Sequence, residues 1–95
     1  MNAPVRLEQY YPGDEAWDRF VAAAPRGFEN FGDSKTLQLA LGGDTEMAAV
    51  VYAIVGDDAV DWALGPKEML DGLSPAACLS DAPFRRRLRT MLMRM

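Results

Sequence analysis

The chain has 95 residues, 49% hydrophobic and 25% charged, with a net charge of −4. That length allows one domain with a modest core, burying roughly 60–65% of the surface an unfolded chain exposes, and the composition excludes compositional disorder. There is no histidine and Cys78 is the only cysteine, which excludes the usual general base, the commonest metal ligand and an intramolecular disulfide.

The opening segment, MNAPVRLEQYY, carries no apolar signal core, and the longest apolar run, Met47 to Val55, is too short to span a bilayer. With a lone cysteine, this predicts a reducing, cytoplasmic setting and no membrane partner. Asp14 is the candidate cap of a first helix in which Trp17, Phe20, Val21 and Ala24 recur on one stripe. Pro25-Arg26-Gly27 stops it. Phe28 to Gly32 reads as loop, with Phe28 and Phe31 tucked onto the core.

Asp33 or Ser34 caps a short helix through Ala40, closed by Gly42-Gly43. Asp44 or Thr45 then caps MAAVVYAIV, apolar on almost every face and therefore the most buried segment. A buried strand competes there, because Val50, Val51, Tyr52 and Ile54 favour strands. The cap before the run and Gly56 after it favour helix. Asp58 caps a further short helix containing Trp62. Gly65-Pro66 ends it, Gly accepting a left-handed cap and Pro unable to continue the ladder. Asp71-Gly72 makes a tight turn, and Ser74-Pro75 opens the next helix with a cap and a favoured first residue.

The final helix has its cap at Asp81 and Pro83 in its first turn. Phe84, Leu88, Met91, Leu92 and Met95 fall on one side; Arg85, Arg86, Arg87, Arg89 and Arg94 fall mostly on the others. The fold expected is all-α: one domain over 1–95, a compact bundle of about five short helices. Its acidic helical part covers 1–46 and its second part 47–95. Charge divides the chain. Through Val60 there are four basic and ten acidic residues, a balance of −6; from Asp61 onward six basic face four acidic, +2. The acidic first half lacks a basic recognition helix, so DNA binding is disfavoured.

Six residues in the second part, Trp62, Pro66, Leu70, Gly72, Pro75 and Leu79, follow the order W-x-x-x-P-x-x-x-L-x-G-x-x-P-x-x-x-L. In this the chain, from about Met47 onward, resembles the toxin-binding domain of Xre/MbcA/ParS-type antitoxins. It departs from that pattern at Ala63, where the family has a larger apolar residue, and at Asp81 to Phe84 and Arg94-Met95, where the family has glycines. The resemblance implies a partner toxin, encoded by an adjacent gene and often of the RES type that consumes NAD. It implies that the end of the last helix (Arg89, Met93, Arg94, Met95) occludes the toxin's cleft, with Trp62, Leu70, Gly72 and Pro75 as its scaffold. Arg85 and Arg86 join the expected partner-binding set, because arginine forks suit carboxylates and phosphates.

The plain alternative is a packed terminal helix with a solvated basic face; a membrane-surface helix is a further one. Two other functions compete: a nucleic-acid-binding regulator using the Arg-rich helix, or a self-associating module, a homodimer through the Phe84/Leu88/Met91/Met95 face. An enzyme is not expected, and neither a cofactor nor a metal is called for. Cys78 reads as a buried structural thiol, Asp57, Asp58 and Asp61 lack calcium-loop spacing, and Gly42-Gly43 precedes Asp rather than the Lys of a phosphate cradle. Trp17 and Trp62 read as core anchors. A truncation after Leu88 is expected to leave folding partly intact.

Overall fold

Helix is the only regular structure in the computed structural model, which describes residues 7–24 and 27–95. Five α-helices run in the order α1 (Asp14–Ala23), α2 (Ser34–Ala40), α3 (Thr45–Val55), α4 (Ala59–Leu64) and α5 (Ala82–Arg94). Short 3-10 turns at Leu7–Tyr10, Phe28–Asn30, Gly56–Asp58, Glu68–Leu70 and Ala76–Ser80 connect or precede them. The all-α expectation holds, and the contest over MAAVVYAIV resolves as helix. The radius of gyration, 12.9 Å, is close to the ~12 Å of a compact domain this size.

Local caps explain where the helices start. Asp44 (ψ 98°) and Asp81 (ψ 122°) are extended at the cap position, so each carboxylate reaches forward to the N–H three residues on. Asp44 Oδ1 accepts from Met47 N at 3.0 Å and Asp81 Oδ1 from Phe84 N at 3.2 Å. Asp33 and Asp58 hold the same position ahead of α2 and α4, but with ψ of 21° and 10° neither side chain makes the capping bond. The backbone angle, not the residue type, decides the bond.

Asp14 is a correction. The cap of α1 is Gly13, whose carbonyl accepts from Trp17 N at 3.2 Å; Asp14 is the first helical residue, and its carboxylate turns back to Tyr11 Oη at 2.6 Å. At the other end, Ala24 is extended (φ −64°, ψ 140°), the conformation that a following proline imposes; Pro25 and Arg26 themselves lie outside the described residues.

Gly65 is also a correction. It is extended rather than left-handed (φ −89°, ψ 142°), again because proline follows. Left-handed glycines close α2 instead: Gly42 (φ 69°) and Gly43 (φ 83°) direct their N–H groups back to Leu39 O and Gln38 O, and few other residues tolerate those angles. The segment after Ser74-Pro75 is a 3-10 turn, Ala76–Ser80, rather than an α-helix, with Ser74 Oγ accepting from Ala77 N at 3.1 Å.

The core gathers one side of every helix. Met47, Ala48, Val50 and Val51 of α3 are fully buried at its centre, with Leu37 and Leu41 from the α2 end, Leu70 from its turn, and Leu88 and Leu92 from α5. Trp17 is buried and stacks with Phe20 at 6.0 Å between ring centroids; Phe20, Val21 and Ala24 pack on the core as the α1 stripe predicts. Phe28 is buried and Phe31 stacks on Tyr52 at 4.4 Å. At about 0.025 kcal/mol per Å² of apolar surface, each such aromatic contributes several kcal/mol to collapse. Among the described residues no single helix is long and apolar enough to cross a membrane.

Candidate partner-binding site

The turn between α4 and the 76–80 segment is built by the motif residues. Leu70 and Pro75 are fully buried. Asp71 (φ 56°) and Gly72 (φ 83°) are both left-handed, a conformation open to Gly and Asp but costly for most residues. Gly72 N and Leu70 N both donate to Lys67 O, and Lys67 N donates to Leu73 O, which closes the loop on itself. Leu79 is half-buried against the core. Four of the six motif residues thus do local structural work.

This turn clamps α5. Arg87 donates from Nη1 to Asp71 Oδ2 at 2.8 Å, and its guanidinium lies 4.6 Å from the Phe84 ring centroid. Its side chain is only 8% exposed, against 66% for Asp71. The sequence placed Arg87 on a solvated face; the structure buries it. Burial is tolerable because the carboxylate and the ring replace water around the cation. Thr90 is buried beside it and donates from Oγ1 to Arg86 O at 2.8 Å, the bond a helical threonine makes to the preceding turn.

The expected partner-binding residues separate into distinct settings. Arg89 is held by the first part of the chain: Nη1 lies 3.0 Å from Tyr11 Oη and 3.4 Å from Asp14 Oδ1, and its guanidinium sits 5.0 Å from the Trp17 ring centroid. Its buried Nε has no hydrogen-bond partner among the described residues. Burial and the bond to Asp14 raise the Tyr11 phenol above its usual pKa, with Arg89 pulling the other way. Arg94 is exposed over the Tyr10 ring at 5.0 Å. Arg85 Nη2 donates to Leu79 O at 3.1 Å, Arg86 is exposed, and Met93 packs half-buried on the core.

Met95 is different. It is 62% exposed and borders an open groove of about 360 Å³ with Trp62, Pro66, Lys67, Met69 and Met91. Met69, on the far wall, is 55% exposed, and Leu64 and Leu73 nearby are exposed as well. Lys67 Nζ lies 5.0 Å from the Trp62 ring centroid, and Glu68, also on the groove, balances its charge. Trp62 is thus a half-buried wall of this groove rather than a fully enclosed anchor. The remaining motif residues and the end of α5 meet here, in a flexible, polarisable, nearly neutral surface of the kind methionine supplies at adaptable interfaces.

Catalytic chemistry has little material in the described residues. Cys78 is fully buried, and burial pushes its thiol up to about 11, against the smaller opposing pull of Arg87. No group of three or more potential metal-ligating side chains occurs among the described residues. A truncation after Leu88 would remove the buried Thr90, Met91 and Leu92, which corrects the expectation that folding would partly survive it. Comparison with known proteins adds no relative: no family model, curated protein or solved structure matches this chain.

Proposed function

We propose that the protein acts by binding rather than catalysis, as an antitoxin-like module that neutralises a partner toxin docked over the Trp62–Met95 groove and the adjoining end of α5. One observation carries the reading. Trp62 and Pro66, which belong to the antitoxin-like pattern, and Met95, which that pattern assigns to the toxin contact, line the same open apolar groove. Exposed methionines beside an aromatic wall suit a protein surface of uneven shape, and aromatic and methionine side chains are enriched at the centres of interfaces. A RES-type, NAD-consuming enzyme is the partner class that the resemblance implies, and binding of this kind needs no cofactor. The nucleic-acid alternative loses support, because Arg87 and Arg89 are engaged within the fold.

Co-expression with the product of the adjacent gene tests the proposal, with growth and cellular NAD scored together. Rescue of growth with NAD restored is expected. Met69→Glu and Met95→Glu change exposed side chains, so both should keep the wild-type thermal melt while weakening the complex at least ~10-fold. A neighbouring product that is harmless alone and does not co-purify would remove the toxin reading. Light scattering that shows a dimer dissolved by Met69→Glu would reassign the groove to self-association.

A further inference from the structure

A second open groove, of about 470 Å³, lies on a different face of α5. Leu39 and Leu41 from the α2 end form one wall; Leu79, Arg85 and Arg89 form the other. Leu41 is fully buried and makes the floor, while Leu39 at the rim is 72% exposed, the most exposed large apolar side chain among the described residues. Nothing in the fold calls for an aliphatic residue there.

The polar wall is equally specific. Arg85 and Arg89 are one helical turn apart and project to the same side. Arg85 is steadied by its bond to Leu79 O but has no carboxylate partner among the described residues, nor has the neighbouring Arg86. Arg89 has one carboxylate, Asp14 at 3.4 Å, and its buried Nε is unpaired among the described residues. One acidic group, Asp44, borders the groove, and its Oδ1 is engaged by Met47 N at the start of α3. The local charge is positive in a chain whose net charge is −4.

We infer that this groove docks an acidic peptide segment in which aliphatic residues alternate with carboxylates. The aliphatic side chains would cover Leu39, Leu41 and Leu79, and a carboxylate would take the free face of the Arg85 fork, a pairing favoured by planar bidentate geometry. Charge complementarity selects this occupant: a basic segment meets Arg85 and Arg86, and an uncharged one leaves the Arg85 charge unanswered. An open trough with an exposed leucine at its rim fits an extended segment better than an enclosed small molecule. The inference rests on these residues alone and stands whether or not the partner at the Trp62 groove is a toxin.

The test titrates the full-length, isotope-labelled chain with acetyl-Leu-Glu-Leu-Glu-Leu-amide, following amide and methyl resonances; acetyl-Leu-Lys-Leu-Lys-Leu-amide and octanoate serve as controls. The expected result is that the acidic peptide alone shifts Leu39, Leu79 and Arg85, with affinity falling as salt is raised. Arg85→Glu, at an exposed position, should weaken it ~10-fold or more, and Leu39→Ser several-fold, both with unchanged melting. Equal binding of the basic peptide, shifts confined to Trp62 and Met95, or no shift at millimolar acidic peptide would overturn the inference. Binding of octanoate but not of the peptide would overturn it in favour of a small amphiphile.

Discussion

Helices α3 and α5 begin in the same way, with an extended aspartate accepting the N–H three residues on, yet they reach the interior by opposite chemistry. Helix α3 is buried because almost every residue is apolar: Met47, Ala48, Val50 and Val51 need no partner beyond other hydrocarbon. Helix α5 carries five arginines in thirteen residues and still buries Arg87, Leu88, Thr90, Met91 and Leu92. It manages this by handing its polar groups to specific acceptors, Asp71 for Arg87 and the Arg86 carbonyl for Thr90. A helix packed by hydrocarbon tolerates many partners. One packed through arginine depends on where each acceptor sits, and so is tied to one arrangement.

The largest test of that contrast deletes the residues after Leu88. If α5 is core, the deletion abolishes the cooperative melt followed by circular dichroism; a retained sigmoidal transition would mean that α3 and its neighbours fold without it. Single truncations come next. Met47→Ala in α3 and Leu92→Ala in α5 should each cost about 2–5 kcal/mol by urea denaturation, and a cost below ~1 kcal/mol for Leu92→Ala would show that α5 packs loosely. Asp71→Asn is milder and more specific. Asparagine keeps the left-handed backbone angle, so the change isolates the carboxylate lost to Arg87; because Asp71 is largely exposed, about 1 kcal/mol is expected, shrinking in high salt.

The smallest effect is on pH. Cys78 ionises in the unfolded chain near its ordinary value of 9 but in the folded protein only at about 11. The folded state then holds the proton that the unfolded state has lost, so stability declines as pH rises through that window and is fully present below it. Cys78→Ala should flatten this alkaline decline, measured as the change in urea midpoint between pH 8 and 10.5 (~2.5 units apart). An identical decline in the variant would assign it to other groups, Tyr11 first, whose pKa is also raised.

The two helices also mark what could be read in advance. Helix α3 was legible because a capping aspartate, a run without polar interruption and a closing glycine are all local signals. The α1 stripe was legible for the same reason. The burial of Arg87 was not, since its acceptor lies 16 residues away on a turn whose direction no local pattern specifies. Asp14, Asp33 and Asp58 looked like Asp44 and Asp81 in sequence, but capping requires an extended backbone that tertiary packing sets. Of the candidate site, the residue types were readable and their grouping was not. Met95 joins Trp62, Arg89 joins Trp17 and Tyr11, and Arg85 joins Leu79, three settings that periodicity along one helix assigns together. Only Leu39 gave no advance signal at all, because one aliphatic residue on a short helix looks like core until the helix is oriented.

The bond between Arg89 and Tyr11 has a temporal side as well. The two residues are 78 positions apart, so bringing them together requires nearly the whole intervening chain to be gathered first. Loop closure grows only slowly with length, but it must be met before such a contact returns any stabilisation. The Asp44 cap, three residues from its acceptor, carries no such delay. The clasp therefore belongs to the last moments of folding and the first of unfolding: loosening it should shorten the lifetime of the native state and leave the speed of its formation almost untouched.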